Sequence, residues 1–199
     1  MKTKIAVFVS GGGTNLQALI DAAGAGKLPS GELALVVSSS ERAYALERAA
    51  VAGIPAAVVR KDEAKLDALL EAHGIEMIVL AGYLSILSAA FTKKWDRRIL
   101  NIHPSLIPAF CGKGYYGLRV HEEALKRGVK VTGATVHFVN EIPDGGEILL
   151  QKPVEVLPGD TPETLQRRVM EQAEWKLLPQ AVEQVARQMM EDKEHVENI

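Results

Sequence analysis

An amide and an imidazole interrupt an apolar run in the segment ILNIHPSLIP, residues 99–108. Asn101 and His103 are two positions apart, so in a strand their side chains lie on the same face, near the carboxyl edge where open α/β sheets bind ligands. An imidazole exchanges protons near neutral pH, and an amide NH2 group stabilises negative charge on a carbonyl oxygen. The pair indicates acid-base chemistry at a carbonyl group. The alternative is a buried pair that satisfies backbone groups around Pro104.

A carboxylate that could complete this pair is Asp144, in the segment NEIPDGG at residues 140–146. Asp-Gly-Gly is also ordinary turn chemistry, which is the simpler interpretation. If the turn lies over the sheet edge that carries His103, the carboxylate raises the pKa of the imidazole and orients its ring. The two residues would then form an acid-base pair that needs no serine or cysteine nucleophile.

A glycine-rich segment, SGGGTN at residues 10–15, stands between the first predicted strand and the first predicted helix. Glycines let the backbone approach a ligand closely, and the free amides at a helix N-terminus attract an anion such as phosphate. The segment matches neither the dinucleotide fingerprint nor a Walker loop. The alternative is a tight turn that is capped by Thr14 or Asn15.

The other histidines carry weaker signals. His137 lies in the alternating segment VHFV, so it either faces the site or satisfies polar groups within the sheet. The patterns around His73, His121 and His195 predict positions on the surface of helices or of the C-terminal tail.

Alternating strands and helices must position these residues. Five apolar runs in the first half of the chain are separated by segments of helical period, a pattern typical of a parallel sheet covered on both faces. Residues 129–139 and 147–156 predict two more strands, and the short turn between them favours an antiparallel hairpin. The predicted fold is α/β: a Rossmann-like, mostly parallel twisted sheet with helices on both faces and an added C-terminal antiparallel hairpin.

One long final helix is predicted from residue 160 onwards. The segment DTP at residues 160–162 offers capping residues followed by a proline suited to the first helical position. The helix is predicted to run to about Met190 with a break near Pro179. Residues 191–199 are charged and are predicted to form a frayed tail.

Composition narrows the class of protein. With 199 residues, 47% of them hydrophobic, the chain is expected to form a single domain over residues 1–199. A net charge of −2 creates no overall basic field for a long nucleic acid, which favours small-molecule partners. The single cysteine, Cys111, forms no internal disulfide, and no Cys/His spacing indicates zinc. We therefore expect a cytoplasmic protein without a metal, a nucleic-acid partner or a membrane span.

Four motifs taken together resemble the glycinamide ribonucleotide formyltransferases, and the resemblance extends from about Ile5 to about Pro179. NIHPSL combined with a downstream VHFV and DGG is a specific signature of formyl transfer on this fold. The motifs are SGGGTN after the first strand, AGYLSIL after the fourth, NIHPSLIP at the fifth, and GATVHFVNEIPDGG near residue 140.

The resemblance implies a reaction. The formyl group of 10-formyltetrahydrofolate, the cosubstrate, is transferred to the amine of glycinamide ribonucleotide in de novo purine biosynthesis, giving formylglycinamide ribonucleotide and tetrahydrofolate. Transfer is direct, through a tetrahedral intermediate, with no metal and no covalent enzyme intermediate. Asn101 and a protonated His103 stabilise the oxyanion, and Asp144 keeps His103 charged. The expected assembly is a monomer or a homodimer.

The resemblance also implies three groups of site residues. The catalytic residues are Asn101, His103 and Asp144. The residues that bind the acceptor substrate are Gly13, Thr14 and Asn15, at its phosphate, and Glu174, at its ribose. The residues that line the folate pocket are Leu84, Ser85, Ile86, Leu87, Asn101, Asn140, Glu141, Ile142, Pro143 and Asp144.

The chain departs from the family pattern at three places. Ser85 stands where the family often has arginine, so we expect backbone groups to bind the pterin. The loop over residues 110–119 is longer than in many relatives, and its role is open. Counting from Asp160 suggests one inserted residue before Glu174.

Other activities use the same core. Methionyl-tRNA formyltransferase and formyltetrahydrofolate hydrolase are the close alternatives, and both are expected to carry a further domain. A non-catalytic nucleotide-binding module is an alternative from a different class, since the fold alone does not decide function.

Overall fold

A single seven-stranded sheet organises the chain, for which the computed structural model describes residues 1–197. The strand order is β3-β2-β1-β4-β5-β6-β7. Neighbouring strands are parallel from β3 to β5, whereas β6 runs antiparallel to both β5 and β7. The predicted fold class is therefore confirmed. The strands are β1 Thr3–Val9, β2 Gly31–Ser38, β3 Ala56–Val58, β4 Met77–Leu80, β5 Ile99–His103, β6 Val131–Phe138 and β7 Ile148–Glu155.

Helices cover both faces of the sheet and create two apolar cores. Side chains of β1 alternate between them: Ile5, Val7 and Val9 pack towards α1, α2, α6 and α7, whereas Ala6 and Phe8 pack towards α3 and α4. Because both faces are buried, the strand reads as a continuous apolar run. The helices are α1 Thr14–Gly24, α2 Ala45–Val51, α3 Glu63–Ala72, α4 Ala89–Lys94, α5 Leu118–Arg127, α6 Pro162–Val169 and α7 Trp175–Glu197.

The junction between β1 and α1 depends on a glycine. Gly13 caps α1 with φ near 70°, in the left-handed region. A Cβ at this position would lie 2.6 Å from the Cβ and 2.9 Å from the Cα of Ala45 in α2. Both the backbone conformation and the close approach of α2 therefore require glycine here.

The last helices are distorted at a different place from the one predicted. α7 continues through Pro179, and the helical distortion is instead a π-helical turn, Met170–Glu174, between α6 and α7. The predicted break near Pro179 is wrong because apolar residues on both sides, such as Leu178 and Val182, are fully buried, and this packing offsets the one backbone hydrogen bond that proline removes. A π turn accommodates one extra residue in a helix, which matches the insertion counted before Glu174.

The predicted frayed tail is helical over most of its length. α7 extends to Glu197, and Lys193 forms an ion pair with Glu76, which precedes β4. This contact holds the C-terminal turns of the helix against the amino edge of the sheet. Residues 198 and 199 lie outside the described part of the chain.

Replacement of Gly13 by alanine is expected to lower the free energy of unfolding by about 1–3 kcal/mol, because the new Cβ meets Ala45 and the backbone keeps a positive φ. Gly24→Ala, in the same helix, is the matched control: a Cβ added there would have no atom within 4 Å, so the change is expected to be neutral or stabilising by up to about 1 kcal/mol. Urea unfolding of the two variants measures the difference. Equal effects would contradict the assigned role of Gly13.

Candidate active site

Asn101 and His103 lie on β5 directly beside β6. Asn101 is opposite His137, and His103 is opposite Thr135. Nδ1 of His137 lies 2.8 Å from the carbonyl oxygen of Phe138 and donates to it, which leaves Nε2 as the acceptor. Asn101 Nδ2 donates to that Nε2 at 3.1 Å. His137 therefore orients the amide of Asn101.

The loop between β6 and β7 folds back over this face and brings in Asp144. Its Oδ1 lies 3.4 Å from Asn101 Nδ2 and 3.5 Å from His137 Nε2. Its Oδ2 lies 3.5 Å from His103 Nδ1. The structure thus brings the three predicted catalytic residues together, although 43 residues separate Asn101 from Asp144 along the chain. Their catalytic roles remain predictions.

Turn chemistry places this carboxylate. Asp144 has φ near 55°, a left-handed conformation that aspartate tolerates better than most residues. A Cβ on Gly146 would lie 1.7 Å from the carbonyl oxygen of Phe138, so only glycine fits there. The turn and the site are therefore one feature, because the Asp-Gly-Gly conformation is what returns the carboxylate to β5.

The loop at residues 104–117 supplies two backbone groups to the site. The sequence interpretation left the role of this loop open. The carbonyl oxygen of Phe110 accepts a hydrogen bond from His103 Nε2 at 2.9 Å. The N–H of Gly112 donates to Asp144 Oδ2 at 2.8 Å. Both Phe110 and Gly112 have positive φ, so the loop turns sharply at the residues that contact the acid-base pair. The glycines of CGKG are the sequence signal for this turn.

The glycine-rich segment presents unpaired amides at the carboxyl end of β1. None of the backbone N–H groups of residues 11–16 donates a hydrogen bond to another described residue. The carbonyl oxygens of this segment are used instead: Gly11 accepts from the N–H of Ala45 at 3.1 Å, and Gly12 accepts from Arg48 Nε at 2.8 Å. Contacts from α2 thus hold the loop while its donors remain available to an anion.

Two predicted substrate-binding residues meet beside this loop. Asn15 Nδ2 donates to Glu174 Oε2 at 2.7 Å, and both side chains are buried. Burial raises the pKa of Glu174, and the hydrogen bond from Asn15 acts in the opposite direction. One proton of the Asn15 amide is therefore used by Glu174, while its backbone N–H stays available to a phosphate.

The two predicted folate segments follow the strands on either side of β5. Residues 84–87 follow β4, and the N–H of Leu84 donates to Ser10 Oγ at 2.9 Å. Residues 140–144 follow β6. Three large apolar side chains of these segments are exposed, at 62% for Leu84, 78% for Ile86 and 58% for Ile142. Exposed apolar side chains flanking a polar cluster are typical of a ligand site.

Comparison with known proteins assigns the chain to a family. A family model described as formyl transferase matches residues 3–182. Phosphoribosylglycinamide formyltransferase of Haemophilus influenzae is 44% identical over 185 residues, which cover 88% of this chain and 84% of that protein. The chain belongs to the phosphoribosylglycinamide formyltransferase family. The resemblance drawn from the four motifs is thus confirmed.

Two further proteins show how this formyltransferase relates to its family. The trifunctional purine biosynthetic protein adenosine-3 of Gallus gallus is 45% identical over 195 residues, which cover 93% of this chain and 18% of that protein. The chain thus spans less than a fifth of that curated relative. A crystal structure of glycinamide ribonucleotide transformylase 1 from Symbiobacterium toebii has a TM-score of 0.86 at 41% identity and covers 94% of this chain and 88% of that one.

The protonation state of His103 in the formyltransferase differs from expectation. Burial lowers the pKa of His103, and this outweighs the Asp144 carboxylate and the Phe110 carbonyl, which both raise it. The ring is therefore neutral at neutral pH, with its proton on the Nε2 that donates to Phe110. The expectation that Asp144 keeps His103 charged is wrong for the unliganded protein, because the imidazole is only 5% exposed and its 3.5 Å separation from Asp144 is long for a charge-assisted hydrogen bond.

Asp144 remains ionised beside this neutral ring. Burial acts to raise the pKa of its carboxyl group, but the adjacent rings of His137 and His103 and the N–H of Gly112 together hold that pKa below its ordinary value. If Nδ1 of His103 is protonated, the adjacent Asp144 carboxylate stabilises the resulting positive charge. The pair is arranged to accept a proton during a reaction.

His121 is a buried residue that the sequence interpretation placed on the surface. It is 0% exposed, and neither ring nitrogen has a hydrogen-bond partner among the described residues. Burial and then the charge of nearby His103 lower its pKa to about 4. Val120 and Ala124 share the buried side of α5, and this helical spacing was the signal that pointed inwards.

No helix in the described range is long and apolar enough to cross a membrane. Within the same range, no group of three or more His, Cys, Asp or Glu side chains is arranged to hold a metal ion.

The neutral state of His121 predicts a pH dependence of stability. Its folded pKa of about 4 lies below the ordinary value of 6.5, so its contribution is complete above pH 6.5 and is lost as the pH falls towards 4. The shift corresponds to about 3 kcal/mol. His121→Gln should therefore reduce the loss of unfolding free energy over this pH range.

Urea unfolding at a series of pH values measures this dependence. The lowered pKa of His103 acts in the same direction, so part of the dependence should remain in the variant. His73→Gln is the control, since His73 is only partly buried. An unchanged pH profile in His121→Gln would contradict the assignment.

Proposed function

We propose that this formyltransferase transfers the formyl group of 10-formyltetrahydrofolate to the amine of glycinamide ribonucleotide. The observation that carries the proposal is the cluster of Asn101, His103 and Asp144 at the sheet edge where the glycine-rich loop presents unpaired amides. The chain matches a formyl transferase family. The sheet edge combines an acid-base cluster with an anion site, which suits an acceptor that carries an amine and a phosphate.

The acceptor lies at the switch point of the sheet. β1 and β4 are neighbours, and the order of the parallel strands reverses between them: β2 and β3 follow on one side, and β5 follows on the other. Open α/β sheets bind ligands in the crevice at this position. The amides of residues 11–16 bind the phosphate of the acceptor. Glu174, held by Asn15, accepts hydrogen bonds from the ribose hydroxyls.

The folate lies between the segments that follow β4 and β6. Leu84, Ile86 and Ile142 supply exposed apolar surface, and the backbone of residues 84–87 binds the pterin ring. Ser85 has neither the length nor the charge of arginine, and its side chain interacts with Tyr83. Backbone recognition therefore replaces a side-chain contact at this position.

Transfer proceeds through a tetrahedral intermediate. The acceptor amine forms a C–N bond to the formyl carbon, and the electron pair of the carbonyl moves to oxygen, where the NH2 group of Asn101 stabilises the charge. Neutral His103 accepts the proton of the attacking amine at Nδ1, and the imidazolium is stabilised by Asp144 at 3.5 Å. The proton passes to the folate nitrogen as its bond to the formyl carbon breaks.

A formyl-transfer assay with three acceptors tests the proposal. Tetrahydrofolate formation is expected with glycinamide ribonucleotide and not with methionyl-tRNA, and release of formate to water should be slow. The same acceptor without its phosphate is expected to have a KM at least about tenfold higher, because it loses the charge-assisted contacts of the loop. Transfer only to methionyl-tRNA or to water would refute the proposed acceptor. Equal KM values with and without phosphate would refute the phosphate site alone.

His103→Ala and Asp144→Asn are each expected to lower kcat by about 10²-fold or more, the scale of lost acid-base catalysis. His73→Ala is the control, because His73 lies at the end of α3, away from the cluster, and its ring bonds to the carbonyl oxygen of Leu69. Steady-state kinetics with circular dichroism of each variant separates catalysis from folding. A folded variant at either position with near-wild-type kcat would show that the proton-transfer role is wrong.

A further inference from the structure

A groove of about 910 Å³ lies between α1 and α7, outside the catalytic cluster. Its volume is within the range of small-molecule sites. Its lining includes Trp175 and Pro179 of α7 and Ala18 and Ala22 of α1. These residues provide an aromatic ring and short apolar side chains, which suit a flat, partly apolar ligand.

The carboxylates that line the groove are already committed to other groups. Glu183 accepts hydrogen bonds from the N–H and the hydroxyl of Ser30, at 3.1 and 2.8 Å. Asp21 accepts one from Gln17 Nε2 at 2.8 Å. By contrast, three cationic side chains of the groove form no hydrogen bond or ion pair with residues 1–197: Lys27, Lys176 and Arg187.

This imbalance determines the charge of a suitable ligand. Four cationic side chains line the groove against two carboxylates, Asp21 and Glu183. The lining is therefore net positive, and the groove attracts an anion. The combination of free cations with an indole ring is the chemistry that recognises an aromatic phosphate or carboxylate.

The groove adjoins the acceptor site without coinciding with it. Thr14 and Arg48 line one end, and Arg48 is bound to the carbonyl oxygen of Gly12 and to Gln17. The free cations come from other positions, namely the segment after α1 and the exposed side of α7. A ligand held by them therefore occupies a different place from the phosphate on the glycine-rich loop.

We propose that the groove between α1 and α7 is a second ligand site, which binds an aromatic anion of nucleotide size. The ring lies against Trp175 and Pro179, and the anionic group lies among Lys27, Lys176 and Arg187. The proposal is independent of the acceptor and of the formyl-transfer chemistry.

Titration with AMP, a probe that combines an aromatic base with one phosphate, tests the proposal. Saturable binding is expected by calorimetry, accompanied by a change in Trp175 fluorescence in a Trp95→Phe background. Adenosine alone and inorganic phosphate alone should each bind at least about tenfold more weakly, since each lacks half of the recognised chemistry. Phosphate binding as tight as AMP binding would refute the aromatic contact.

Charge reversal locates the site. Lys27→Glu combined with Arg187→Glu should weaken AMP binding by about tenfold or more, while kcat without AMP is unchanged. Lys65→Glu, on α3 and away from the groove, is the matched control. Binding should persist when glycinamide ribonucleotide is saturating. Absence of saturable binding, insensitivity to the double variant, or displacement by glycinamide ribonucleotide would each overturn the proposal.

Discussion

The carboxylate of Asp144 is the contact on which the site depends. It accepts the N–H of Gly112 at 2.8 Å and lies within 3.5 Å of polar atoms on Asn101, His103 and His137. One side chain thus joins β5, β6 and two loops. Because the carboxylate is ionised and only 13% exposed, its two donors, the N–H of Gly112 and the NH2 group of Asn101, must stay close to it. The segments that contribute these donors are therefore held in place.

Burial and charge act against each other throughout this cluster. Burial lowers the pKa of His103 although a carboxylate lies beside it, and donors hold the pKa of Asp144 down although burial acts to raise it. The result is a neutral base next to an ionised acid. This arrangement suits a reaction in which an amine becomes positively charged and must lose a proton. The neutral ring can accept that proton, and the Asp144 carboxylate then stabilises the imidazolium.

A second set of contacts connects the two ends of the chain. Asn15 and Glu174 are 159 residues apart, yet their side chains share a 2.7 Å hydrogen bond. The π-helical turn Met170–Glu174 sets the rotation at which Glu174 leaves the helix. The distortion of the helix thus lies where it directs a buried carboxylate towards the glycine-rich loop.

The sequence alone was sufficient for the parallel sheet, the antiparallel hairpin and the identity of Asn101, His103 and Asp144, since apolar periodicity and short turns are local properties and the motifs resemble a known family. The family and the fold class were confirmed, whereas the roles of the site residues stay predictions. Tertiary structure decided the rest. The neutral state of His103, the burial of His121, the uninterrupted helix at Pro179 and the backbone groups of Phe110 and Gly112 all depend on which segments pack against each other. Desolvation and packing are sums over neighbours that are distant in sequence, so local patterns such as the helical spacing around His121 and the glycines of CGKG indicated these features only in part.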